Sequence, residues 1–142
     1  MSEESAVNTS KPAPVVGVIL LALSALLAVG LNTFAGPCQP HGDEVNTCFW
    51  AYRVVLGMDA VLGVLSIVRV FEMDEGERRG LSFAAALVGA LIAATPGMLI
   101  SLCDGGSMHC QVAMKPFCLA MGVSVALVGG IDLTRRLLSL RK

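Results

Sequence analysis

Between residues 107 and 118 the chain reads SMHCQVAMKPFC, which gathers Met108, His109, Cys110, Met114 and Cys118 into one short stretch. Sulfur and imidazole at this density suit three kinds of chemistry: soft-metal ligation, thiol–disulfide exchange, or a loop pinned by an ordinary disulfide. Met114, Cys118 and Met121 stand at i, i+4 and i+7, so on a helix they share one face. Thioether and thiolate donors on one face select Cu(I), with His109 as a further candidate ligand. Methionines at helical spacing also serve as fillers of irregular helix contacts, and a free cysteine such as Cys118 behaves as a small buried hydrophobe.

The remaining cysteines are Cys38, Cys48 and Cys103. Two short loops then hold one pair each, which proposes the bridges Cys38–Cys48 and Cys103–Cys110. Four cysteines allow three pairings, so a bridge between the loops stays open. If Cys110 is bridged, it is lost as a thiolate ligand. A second chemistry-bearing residue is Asp59, a carboxylate inside an apolar run, where an ionisable group is a functional candidate by default. Counted from Ala51 it lies about 12 Å deep at the helical rise. Thr95, about 10 Å deep counted back from Leu102, is expected to share its level and to hydrogen-bond it. Asn32 is a third intramembrane polar candidate.

The elements that position these residues are membrane helices. Of 142 residues, 55% are hydrophobic and 15% charged, whereas a soluble domain carries about a quarter charged residues. The net charge of −1 gives no sign of a nucleic-acid binder, which needs a clustered basic face. Four apolar stretches predict helices over about 15–35, 51–71, 81–102 and 115–133, since in hydrocarbon every backbone polar group must be satisfied internally. Residues 1–14 read as a disordered cytoplasmic tail, 15–138 as the membrane domain and 139–142 as a basic cytoplasmic tail. The leader MSEESAVNTSKPAP is acidic and Pro-rich where a signal peptide has a basic start, so the first run is read as a span.

Lys11, Arg69, Arg78, Arg79, Arg135, Arg136, Arg141 and Lys142 flank the termini and the central loop, against Arg53 and Lys115 near the other two loops. The positive-inside rule therefore predicts cytoplasmic termini and outward cysteine loops, where disulfides persist. Setting Cys48 on Cys110 brings Ala51 onto Ala113 and Arg53 onto Lys115. The fold class is thus an all-α, integral membrane four-helix bundle of two parallel-oriented hairpin repeats. Gly89, Ala93 and Gly97, and Gly122, Ala126 and Gly130, mark close-packing faces on the third and fourth helices. Pro96 is expected to kink the third helix.

Two resemblances bear on function. A four-helix membrane protein with a cysteine pair in each outward loop is similar in plan to DsbB, the quinone-coupled disulfide-forming enzymes. Those enzymes and the related vitamin K epoxide reductases use a close Cys-x-x-Cys pair that neither loop has. That resemblance implies thiol oxidoreduction through Cys38, Cys48, Cys103 and Cys110, with quinone as cofactor. The motifs "TCFW" at 47–50 and "MHC" at 108–110, the outward cysteine pairs and the four-span layout resemble the domain of unknown function 4418 family, small bacterial membrane proteins. Members carry Cys-His-Trp at the first motif, and Phe49 here replaces the His. This resemblance implies architecture, and a place beside an export-type ABC transporter.

The expectation is a non-enzymatic accessory or interaction subunit of an assembly in the bacterial inner membrane. Its partners would be the lipid bilayer and a membrane protein or a second copy, with no nucleic acid and no cofactor. The alternatives are the DsbB-like oxidoreductase and a copper-handling protein using Met114, Cys118, Met121 and His109.

Overall fold

The computed structural model describes residues 13–37, 47–71, 74–102 and 109–140. They form four α-helices: α1 (Ala13–Thr33), α2 (Thr47–Phe71), α3 (Glu75–Ala94) and α4 (Lys115–Ser139), the last entered through a π-helical turn, Cys110–Met114. No described residue belongs to a strand; the single isolated bridge joins Pro96 and Ile100. The chain runs up, down, up and down. One end of the bundle, here the basal end, holds the start of α1, the end of α2, the start of α3 and the end of α4. The apical end holds the other four.

The helices pack as a ring. α1 lies on α2, α2 on α3, α3 most extensively on α4, and α4 closes back on α1, which leaves α2 and α4 on a diagonal. Buried positions follow a three–four alternation: 17, 20, 24, 27 and 31 on α1; 48, 51, 55, 59, 62, 66 and 69 on α2; 82, 85, 89 and 92 on α3. A repeat near 3.5 residues keeps one seam facing the partner helices and gives left-handed knobs-into-holes packing. Outward positions are as apolar as inward ones, as Val29, Val61, Val64, Phe83, Leu119 and Leu127 illustrate. Such a surface suits lipid, and three helices, Val15–Thr33, Thr47–Phe71 and Cys110–Ser139, are long and apolar enough to cross a membrane.

α3 departs from the expected span. It begins at Glu75 rather than 81 and stops at Ala94 rather than 102, so its apolar section, Leu81 to Ala94, measures only about 21 Å. Pro96 ends the helix where a kink was expected, because it has no N–H to extend the ladder. Gly97 then reverses the chain at φ 100°, a conformation that favours glycine. The turn meets its own backbone needs: Gly97 donates to the Ile100 carbonyl (3.0 Å), Leu99 to that of Ala94 (3.1 Å) and Ile100 to that of Thr95 (3.0 Å). Irregular backbone at such depth is tolerated on this condition.

The other boundaries move less. α1 ends at Thr33 rather than 35, α2 starts at Thr47 rather than 51, and α4 continues to Ser139 rather than 133. In the π-turn the Lys115 N–H bonds the Cys110 carbonyl, one residue wider than an α-turn. Pro116 follows directly, and the wider turn makes room for a ring that would otherwise press on the carbonyl four residues back.

Candidate functional site

The α3–α4 contact fixes the height of everything else. A Cβ placed on Gly89 would lie 2.7 Å from Ala126 N, and one on Gly122 would lie 2.5 Å from Ala93 N and 2.6 Å from Gly89 O. The backbones therefore touch, as small residues at four-residue spacing permit. Two expected members fall outside this zipper. Gly97 lies beyond the helix, under the Lys115 side chain, and a Cβ on Gly130 would meet nothing within 4 Å. Gly129 takes that place, opposite Ser82 and Ala86. The reason is geometric: steps of four advance 40° too far on each repeat, while a step of seven nearly closes.

At the basal end this packing assembles an ionic network that sequence reasoning missed. Arg69 of α2, 1% exposed, crosses the diagonal to Asp132 of α4, with Nη2 donating to Oδ2 at 2.6 Å. Its Nη1 donates to the Arg78 carbonyl (2.9 Å) and to the Ser82 hydroxyl. Ser82 Oγ stands 2.7 Å from that carbonyl and 2.8 Å from Asp132 Oδ2, with one proton to give between them. Arg136 Nε donates to the same Oδ2 at 2.9 Å, and its Nη1 pairs with Glu75. Glu75 in turn accepts from Arg78 Nη1 at 3.4 Å. One half-buried carboxylate oxygen thus gathers two guanidinium groups and a hydroxyl. The sequence signal was present: Arg69 and Asp132 are opposite charges in the last turns of helices that end at the same side.

Asp59 lies deeper than expected because α2 starts earlier. It is the midpoint of Thr47–Phe71, about 18 Å from either end at the helical rise. The residue is 4% exposed, and its Oδ1 has no hydrogen-bond partner. Ser24 of α1 donates to the Asp59 main-chain carbonyl at 3.3 Å. Thr95 is at the expected level, but its hydroxyl turns away from the carboxyl, donating to the Leu91 carbonyl at 2.7 Å and lying 3.7 Å from Met58 Sδ. A threonine at a helix C-terminus can bond its own i−4 carbonyl, and that local bond wins here. Asn32 is nearer the apical end, exposed, and accepts from Tyr52 Oη at 2.9 Å.

The sulfur-rich stretch faces inward. Cys110, Met114 and Cys118 are fully buried and Met121 nearly so, one stripe running from the π-turn into α4, with Cys48 of α2 in the same core. Cys118 is a free thiol. Cys38, Cys103 and Met108 lie outside the described residues, so each expected bridge has one partner there. Among the described residues no three His, Cys, Asp or Glu side chains are grouped to hold a metal ion. His109 points elsewhere than the sulfur stripe: its Nε2 donates to the Phe34 carbonyl at 2.6 Å, tying α1 to the start of α4. Phe34 also meets Phe117 edge to face, ring centroids 4.9 Å apart, and the Phe117 ring lies against Gly30. His109→Ala is expected to remove about 1 kcal/mol of stability from this apical junction, measurable by thermal unfolding in detergent.

No curated protein and no solved structure shows significant similarity to the chain. A family model described as "Domain of unknown function (DUF4418)" matches residues 20–135, which takes in all of α2, α3 and the π-turn and most of α1 and α4. Asp59, the sulfur stripe and the ionic network apart from Arg136 all fall inside that span, and the chain belongs to this family.

Proposed function

We propose that the protein is a non-enzymatic accessory or interaction subunit of a larger membrane assembly, seated in the bacterial inner membrane with both termini cytoplasmic. The observation that carries this reading is the outer face of α4. Ala126, Gly130 and Thr134 recur every four residues there, in a row beside the face closed on α3. With Leu127, Ile131 and Arg135 they line an open groove of about 330 Å³. α4 therefore has two small-residue faces, one filled by α3 and one turned to the membrane. Small residues drive helix association in lipid, where apolarity alone gives no preference for protein over acyl chain.

The occupant we assign is a transmembrane helix of another polypeptide, with an acidic side chain near its cytoplasmic end. Arg135 at the basal lip of the groove is exposed and has no ion pair in the described structure, so it supplies the complementary charge. The family resemblance nominates a subunit of an export-type ABC transporter. Burial weighs against the DsbB-like alternative, since exchange requires thiol access and Cys48 and Cys110 are fully buried. Cys48 is the second residue of α2 and Cys110 opens the turn that leads into α4, which supports reading the two hairpins as a duplication.

Gly130→Ile tests the proposal. The added side chain meets open space, so stability is expected to change by no more than about 0.5 kcal/mol. A photocrosslinker at Leu127 is expected to capture one membrane protein in the wild type and to lose it in the variant. Crosslinks to lipid alone, or to a second copy of this chain, would overturn the heterologous assembly. Reversible exchange of the cysteines with a soluble thiol protein would overturn the non-enzymatic reading.

A further inference from the structure

Apart from the ionic network, one buried carboxyl has an oxygen without a hydrogen-bond partner. Asp59 is 4% exposed at the midpoint of α2, Oδ1 accepts nothing, and no cation among the described residues pairs with it. A naked carboxylate in such surroundings is too unfavourable to persist, and the group takes up a proton instead. The charges around it are all engaged elsewhere. Arg69, the nearest inward charge on α2, is ten residues and about 15 Å along the axis and is held by Asp132. Arg53 is exposed and stacked 5.1 Å over the Phe49 ring. Lys115 lies over Gly97. The inward residues of α1 near its level are Leu20, Ser24 and Leu27, and those of α3 are Ala85, Gly89, Ile92 and Thr95; α4 brings the Cys118 thiol there, and its Asp132 is engaged by Arg69 at the basal end.

Asp59 also lies where a wall of the bundle stops. Thr95, the cap of α3, touches Met58, so α3 ends at the level of Asp59. From there to the apical end its place is taken by the turn 95–100, with Met98 and Leu99 turned outward at 84% and 60% exposure. A turn held by its own few hydrogen bonds opens more readily than a helix locked backbone to backbone. On the basal side the Arg69 guanidinium lies across the axis, and a fixed cation bars protons.

We infer that Asp59 is a proton-binding site, exchanging with water that reaches it from the apical end past the turn 95–100. The step is a simple one. A carboxylate oxygen forms an O–H bond with a proton delivered by water, the site passes from −1 to neutral, and no electrons move. The inference is independent of any partner on α4.

Infrared spectroscopy of the full chain in lipid bilayers tests it. The wild-type minus Asp59→Asn difference is expected to show an acid carbonyl band at neutral pH. That band should shift in heavy water and give way reversibly to carboxylate bands as pH rises. If the Asn variant fails to fold, isotope-labelled aspartate in the wild-type protein identifies the same band by its shift. Carboxylate bands alone at neutral pH would overturn the proposal. So would an acid band that neither shifts in heavy water nor titrates, which would mark a sealed structural acid.

Discussion

Asp132→Asn is expected to lower the stability of the bundle by about 3–5 kcal/mol, the range for removing one partner of a buried ion pair. Arg69 is 1% exposed and spends its Nη2 on Asp132 at 2.6 Å, so the substitution leaves a guanidinium buried against a hydroxyl and a carbonyl. Arg136 loses its partner at the same oxygen and keeps Glu75. The loss should come from the stranded cation rather than from the missing contact. Arg69→Met combined with Asp132→Leu is therefore expected to recover most of it, because apolar replacement of both partners is commonly neutral or stabilising. Reversible unfolding in mixed micelles measures both variants. A single variant within about 0.5 kcal/mol of wild type would show that the diagonal pair is not formed.

Gly122→Ile is expected to be nearly as damaging, by about 3 kcal/mol or more, at the upper end of overpacking. The first added carbon would already lie 2.5 Å from Ala93 N, 2.6 Å from Gly89 O and 2.9 Å from Ala93 Cα. All three are backbone atoms that no rotamer change can move, so α3 and α4 must separate. Separation would carry Ser82 away from Arg69 and Asp132, and the zipper and the ionic network should fail together. Gly130→Ile, eight residues along on the open face, is the matched control. Equal stability of the two isoleucine variants would mean that α3 and α4 do not meet through Gly89 and Gly122.

The helices were legible in the sequence because lipid forces apolar runs to be helical, and α1, α2 and α4 are long and apolar enough to cross a membrane. Their faces were not legible. Hydropathy separates inside from outside only where the outside is water; here Leu27 is buried and Leu26 lies 55% exposed, with nothing in their chemistry to distinguish them. The inward seam is marked instead by small and polar residues: Ser24, Asp59, Ser66, Ser82 and Thr95 are all buried. That marker found Asp59 and part of the α3–α4 zipper. It overran at Gly97 and Gly130, because a spacing of four was read without its angular drift. Arg69 was visible as a charge, but it was read for sidedness rather than as a partner for Asp132. Thr95 was placed at the right depth, yet its hydroxyl had a nearer acceptor in its own helix.

Four rods joined only to their neighbours form a quadrilateral, and a quadrilateral with free corners shears. A strut across one diagonal turns it into two triangles and removes that freedom. Arg69 to Asp132 is such a strut, and as a salt bridge it has no counterpart at the other end among the described residues. The consequence is mechanical asymmetry: the basal end is braced, and breathing of the ring concentrates at the apical end. Amide hydrogen exchange should therefore run faster in residues 109–114 than in residues 129–136, and cutting the strut with Asp132→Asn should erase the difference.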